Sequence, residues 1–123
     1  MTGVQTCALP ISALDAVIAD ASQPELYRDL ASLRRVVVGG ADLPLADRRT
    51  ALEPLTVAGR PFRVLAQEQL AYLLVEEGKA ADAITLLTAI AQDQDASRAL
   101  RGRAAQVIVA LGGTPPEAPR TDG

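Results

Sequence analysis

Three pairs of arginines punctuate the chain: Arg34-Arg35, Arg48-Arg49 and Arg101-x-Arg103. Paired guanidinium groups can hold a phosphate or a peptide carboxylate through forked hydrogen bonds. Two acidic pairs, Glu76-Glu77 and Asp93-x-Asp95, carry the oxygen donors a hard cation needs. Each set also has a plainer use. Arginines on solvated helix faces pair with nearby carboxylates, and acidic residues at turns cap helices. The chain has 15 acidic residues against 12 basic ones, of which only Lys79 is a lysine, and a formal net charge of -3. That balance favours the plainer use and argues against a nucleic-acid surface. No helix–loop ligand pattern surrounds the acidic pairs, so no metal is expected.

Catalysis has little to draw on. There is no His, which removes the commonest general base and the commonest metal ligand. A single cysteine, Cys7, cannot form an internal disulfide or a thiolate cluster. Thr85, Thr88 and Ser97 have no base in a recognisable catalytic pattern. Gly39-Gly40 and Gly112-Gly113 follow helical patterns rather than strands, so they read as helix ends and not as phosphate loops. The expectation is a chain without enzymatic activity and without a cofactor. No apolar run approaches the ~18–20 residues of a membrane span, and no basic stretch precedes an apolar one as in a signal peptide.

The elements that would position these residues are all helical. The 123 residues are 49% hydrophobic and only 2% aromatic, with Ala and Leu dominant, a composition that costs little rotamer freedom in a helix. Apolar spacing predicts six helices: Ala13 to Ala21 with Ser12 as N-cap, Pro24 to Val38, Pro44 to Leu55, Phe62 to Glu77, Ala80 to Gln92, and Ala96 to Leu111 with Asp95 as cap. The expected core stripes are Leu14, Val17 and Ile18; Leu26, Leu30, Leu33 and Val37; Leu45, Leu52 and Leu55; Ala66, Leu70, Leu73 and Leu74; Ala83, Ile84, Leu87 and Ile90; and Leu100, Ala104, Val107, Ile108 and Leu111. Gly39 and Gly78 are expected to close their helices, and Pro54 to limit the third. The Pro-rich end, residues 114–123, cannot bury a core and is expected to be disordered.

The stretch LAQEQLAYLLVEEGKAADAITLLTAIAQD resembles one tetratricopeptide repeat. Leu70, Ala71 and Leu74 fall at its first-helix positions, Gly78 at its turn, and Ala83, Leu87 and Ile90 on its second helix. Gln67 stands where Trp is usual and Asp95 where a closing Pro is usual. In order and spacing, YRDLASLRRVVV, DLPLADRRTALEPL, AGRPFRVLAQEQLAYLLVEEGKAADAITLLTAI and RGRAAQVIVALGG are together similar to the alphaproteobacterial branch of one family. It is the tetratricopeptide-like ancillary subunits of the Sec translocon, and the likeness covers about residues 13–113. The resemblance implies an all-α fold of antiparallel helical hairpins in a right-handed solenoid. It implies a non-enzymatic interaction module on the periplasmic side of the inner membrane, partnered by translocon subunits or periplasmic chaperones. It also implies a membrane tether and earlier repeats upstream of this chain, so the N-terminal face should be more apolar than a finished cap and could pair with a second copy.

Carried onto this sequence, the inner positions of such repeats are Leu65, Glu68, Tyr72 and Glu76, with Arg28, Ser32 and Arg35 in the preceding, more divergent repeat. Together they form a candidate protein-binding groove with an apolar and aromatic centre. The competing reading is a polar helix face that touches nothing. A different-class alternative is an accessory helical domain of a larger cytosolic enzyme or regulator. The opening MTGVQTCALPI has no place in the family pattern. It matches, residue for residue, a sequencing adapter translated with GTG as start codon. Residues 1–12 are accordingly set apart from the repeat domain, and Cys7 is expected to be neither nucleophile, ligand nor lipid site.

Overall fold

The computed structural model describes residues 11–117; Cys7, the adapter-like stretch up to residue 10 and the end of the Pro-rich tail lie outside them. Among the described residues there are six α-helices and no strand: α1 (Ile11–Ala19), α2 (Glu25–Gly39), α3 (Leu45–Leu52), α4 (Arg63–Glu76), α5 (Ala80–Ala91) and α6 (Arg98–Ala110). None is long and apolar enough to cross a membrane.

Consecutive helices pack antiparallel. Ile11 at the start of α1 lies beside Gly39 at the end of α2, and Arg49 of α3 meets Glu77 just past α4. Arg63 at the start of α4 meets Asp93 beyond α5, and Ile84 near the start of α5 touches Gly113 beyond α6. The tight turn between α4 and α5 depends on Gly78, whose φ of 78° is poorly tolerated by residues with a Cβ.

Two apolar clusters hold the stack together. Leu33, Val36, Leu52, Leu55 and Ala66 form the first, between α2, α3 and α4, with Phe62 packed against it. The second is built from Ala71, Leu87, Ile90, Leu100, Ala104 and Ile108, joining α4, α5 and α6. Alanines at the crossings let the helix backbones approach while Leu and Ile fill the seams.

Several sequence expectations change. Ser12 lies inside α1, helical with Ile11 before it, rather than capping it. In α2 the buried residues are Asp29, Ala31, Leu33 and Val36, so the expected stripe is mostly outside: Leu26 is 46%, Leu30 40% and Val37 50% exposed. This helix is apolar on two sides, and periodicity cannot tell which side is covered. Leu45 is exposed as well. Helix α3 stops at Leu52, and the segment Glu53–Thr56 tightens into a 3-10 turn where Pro54 lacks an N–H to continue the ladder. The helix-closing residue with positive φ is Gly40 and not Gly39, which stays helical against the Leu43 side chain. Ser97, not Asp95, caps α6: its hydroxyl accepts the Leu100 N–H at 3.0 Å. Of the remaining stripe residues, Val17, Ile18, Leu70, Leu74, Ile84, Val107 and Leu111 are half-buried.

Candidate protein-binding surfaces

The inner positions of α4 are built into the fold. Glu68 is 4% exposed and accepts two hydrogen bonds from the Arg103 guanidinium of α6, at 2.8 and 2.9 Å. The Tyr72 hydroxyl, one turn further along α4, donates to the same carboxylate at 2.8 Å. Glu76 receives both terminal nitrogens of Arg48, a buried arginine that also donates to the Leu43 carbonyl. Leu65 is 36% exposed. Glu68 and Glu76 both tie neighbouring helices together, but only Glu68 is buried; Glu76, with a 43% exposed side chain, presents surface together with Leu65 and the half-buried Tyr72.

Burial and the Glu68 bond favour the neutral phenol and push the Tyr72 pKa up to about 12. The raised folded-state value sets the sign: this contribution to stability is complete below about pH 10 and lost as pH rises through about 12. An alkaline titration followed by phenolate absorbance should show one late phase near pH 12, and Tyr72→Phe should remove it.

The positions named on α2 behave differently. Arg28, Ser32 and Arg35 floor a cavity of about 400 Å³ walled by Asp15 and Ile18 of α1 and by Thr50, Ala51 and Pro54 on the α3 side. Arg35 donates its Nε to Asp15 at 2.6 Å. Asp29, at the edge of the same cavity, accepts both arms of Arg60 at 2.9 and 2.6 Å. The structure thus brings together Arg28, Ser32 and Arg35, and separately Glu68, Tyr72 and Glu76, as two local sites on different helices.

Of the remaining arginines in the three pairs, Arg49 alone finds the carboxylate partners expected of a solvated face, and Arg34 forms no ion pair among the described residues. Arg49 bonds Glu77, and Arg63 bridges Asp93 and Asp95. Hydrogen bonding to Arg63 holds the Asp93 carboxyl below its ordinary range, as Arg48 does for Glu76. Arg101 donates to the Asp93 and Ala96 carbonyls. Among the described residues, no three His, Cys, Asp or Glu side chains stand together as metal ligands.

A third surface lies outside the seven candidate groove residues, at the N-terminal end expected to be apolar. The outward stripe of α2 borders a groove of about 220 Å³ between α1 and α2, lined by Leu14, Val17, Tyr27, Leu30 and Val38, with Arg34 its one charged group. Tyr27 is 54% exposed. Its signal in the sequence is a helix with apolar residues on two sides, but only the fold shows which side lacks cover. No family model, curated protein or solved structure matches the chain.

Proposed function

We propose that this chain is a non-enzymatic protein-interaction module that receives an amphipathic helix of its partner in the groove between α1 and α2. The single observation behind this reading is the outward apolar stripe of α2, continuous with Leu14 and Val17 of α1. Exposed apolar surface of this kind marks association sites. The other end of the stack supplies the precedent for a helical occupant: α6 covers the α4–α5 hairpin through Leu100, Ala104 and Ile108. At the α1 end, Arg34 is exposed and forms no ion pair among the described residues, so an acidic side chain on the incoming helix complements it.

The finer reading is a right-handed tetratricopeptide-like solenoid belonging to an inner-membrane ancillary subunit of the Sec translocon, acting on the periplasmic side. It is supported by the sequence resemblance, and the antiparallel helix pairs are compatible with it. A photo-crosslinking residue at position 30, in the chain exported to the periplasm, is expected to capture a translocon subunit or a periplasmic chaperone. One at position 109, exposed on α6, is expected to capture neither. Val38→Asp, in the lining of the groove and in neither cluster, should lower the yield about tenfold. Capture only of a second copy, or only of a cytosolic enzyme when the chain stays inside the cell, would overturn the proposal.

A further inference from the structure

Tyr27, Leu30, Ala31 and Arg34 stand at i, i+3, i+4 and i+7 of α2, and all four line the groove against α1. Four residues so spaced outline the hole that a single knob of a facing helix enters. Ala31 stops at its Cβ among three longer neighbours, so the hole is deepest there. Leu14 and Val17 of α1 close its far side. Ala31 and Leu14 are each 5% exposed and give the hole an apolar floor.

We infer that this hole receives one tryptophan side chain of the incoming helix, with a carboxylate one turn away on Arg34. The inference rests on the proposal that a partner helix occupies the groove, and it adds which residue anchors that helix. Size selects the indole. An apolar cavity of about 150 Å³ holds a benzene molecule. The groove measures about 220 Å³, room for a bicyclic ring, and an aliphatic branch would leave part of it empty. The rim also favours an aromatic knob. Tyr27 offers its ring for an edge or offset contact, and Arg34 offers a cation to the π face. Both rim residues are exposed, so the indole N–H keeps a water partner at the mouth. Arg34 forms no ion pair among the described residues, so a carboxylate three or four positions from the tryptophan meets a cation that is still unpaired. A planar guanidinium stacks by its face and bonds by its edge, so the two contacts coexist.

Pairing of two such chains does not fill the hole. The 123 residues contain no Trp, and their single Phe, Phe62, is packed against the first cluster. The Tyr72 hydroxyl is bonded to Glu68, and Tyr27 is itself a wall of the hole.

The lack of Trp also makes the test clean, because tryptophan emission then reports the probe alone. The probe is the helical peptide acetyl-Ala-Gln-Ala-Trp-Ala-Ala-Gln-Glu-Ala-Ala-Leu-Lys-Ala-amide. Titrated with the protein, it should give a saturable blue shift with a dissociation constant of about 100 µM, as fits one anchor on a small area. Versions with Leu or Ala in place of Trp, read by competition, should bind roughly tenfold and thirtyfold more weakly. The version with Gln for Glu should lose about threefold against the wild type and nothing further against Arg34→Gln. Ala31→Leu fills the hole from below and keeps a good helix former in place, so it should abolish the blue shift while the circular dichroism stays unchanged. Equal competition by the Leu version, binding of N-acetyltryptophanamide as tight as that of the peptide, or a shift that survives Ala31→Leu would overturn the inference. The peptide series on the wild type decides the matter even if Ala31→Leu folds poorly. Partner capture at position 30 without selection for Trp sinks the anchor and leaves the groove; selection for Trp with neither expected partner captured sinks the partner's identity and leaves the anchor.

Discussion

Leu87→Ala lowers the melting temperature by roughly 15 °C, from a loss of about 3 kcal/mol. Leu87 is fully buried on α5, in the cluster that also contains Ala71, Ala91, Ala96 and Ala104. Those neighbours are too short to move into the space left behind, so the site collapses little and the residual cavity adds to the lost transfer energy. Leu30→Ala is the matched comparison. Leu30 is 40% exposed and belongs to neither cluster, so its truncation should change stability by less than about 0.5 kcal/mol. Thermal unfolding followed by circular dichroism separates the two; similar losses would mean that the outward face of α2 is covered in solution.

Arg103→Ala is expected to cost about 2 kcal/mol, more than truncation of Arg98 on the same helix, an exposed arginine with no ion pair among the described residues. The loss arises at Glu68. Its side chain is 5% exposed although that of Arg103 is 50% exposed, so the guanidinium shields the carboxylate from water while bonding it twice. Removing Arg103 leaves a nearly buried charge with the Tyr72 hydroxyl as its remaining side-chain partner. Replacing both residues, Glu68→Leu with Arg103→Leu, should restore most of the stability, because two apolar side chains need no compensation. Urea unfolding of the single and double variants reads out the coupling. A single variant no worse than Arg98→Ala would show that the pair is solvated.

The helical class, the six elements and most of the second cluster are legible in the sequence. Stripes such as Ala83–Leu87–Ile90 and Leu100–Ala104–Ile108 have one apolar side each, so period alone identifies what is buried. Spacing misleads in α2 because Leu26, Leu30, Leu33 and Val37 look like one stripe, whereas burial follows Asp29, Leu33 and Val36. Asp29 is buried only because Arg60, 31 residues away in sequence, reaches it, and no local pattern encodes that meeting. The same blindness applies to Glu68 and Arg103, which are 35 residues apart. The repeat resemblance groups seven inner residues as one groove. Long-range ion pairs decide which of them are spent inside the fold and which line a cavity.

Helix α4 contributes Ala66 to one apolar cluster and Ala71 to the other. It is the one element with a buried residue in both. Strain or stabilisation introduced at the α1 end therefore reaches α6 chiefly through a single 14-residue helix. The stack behaves as two cooperative blocks joined by one rigid beam, and occupancy at one end is felt at the other only as far as that beam turns or shifts as a body.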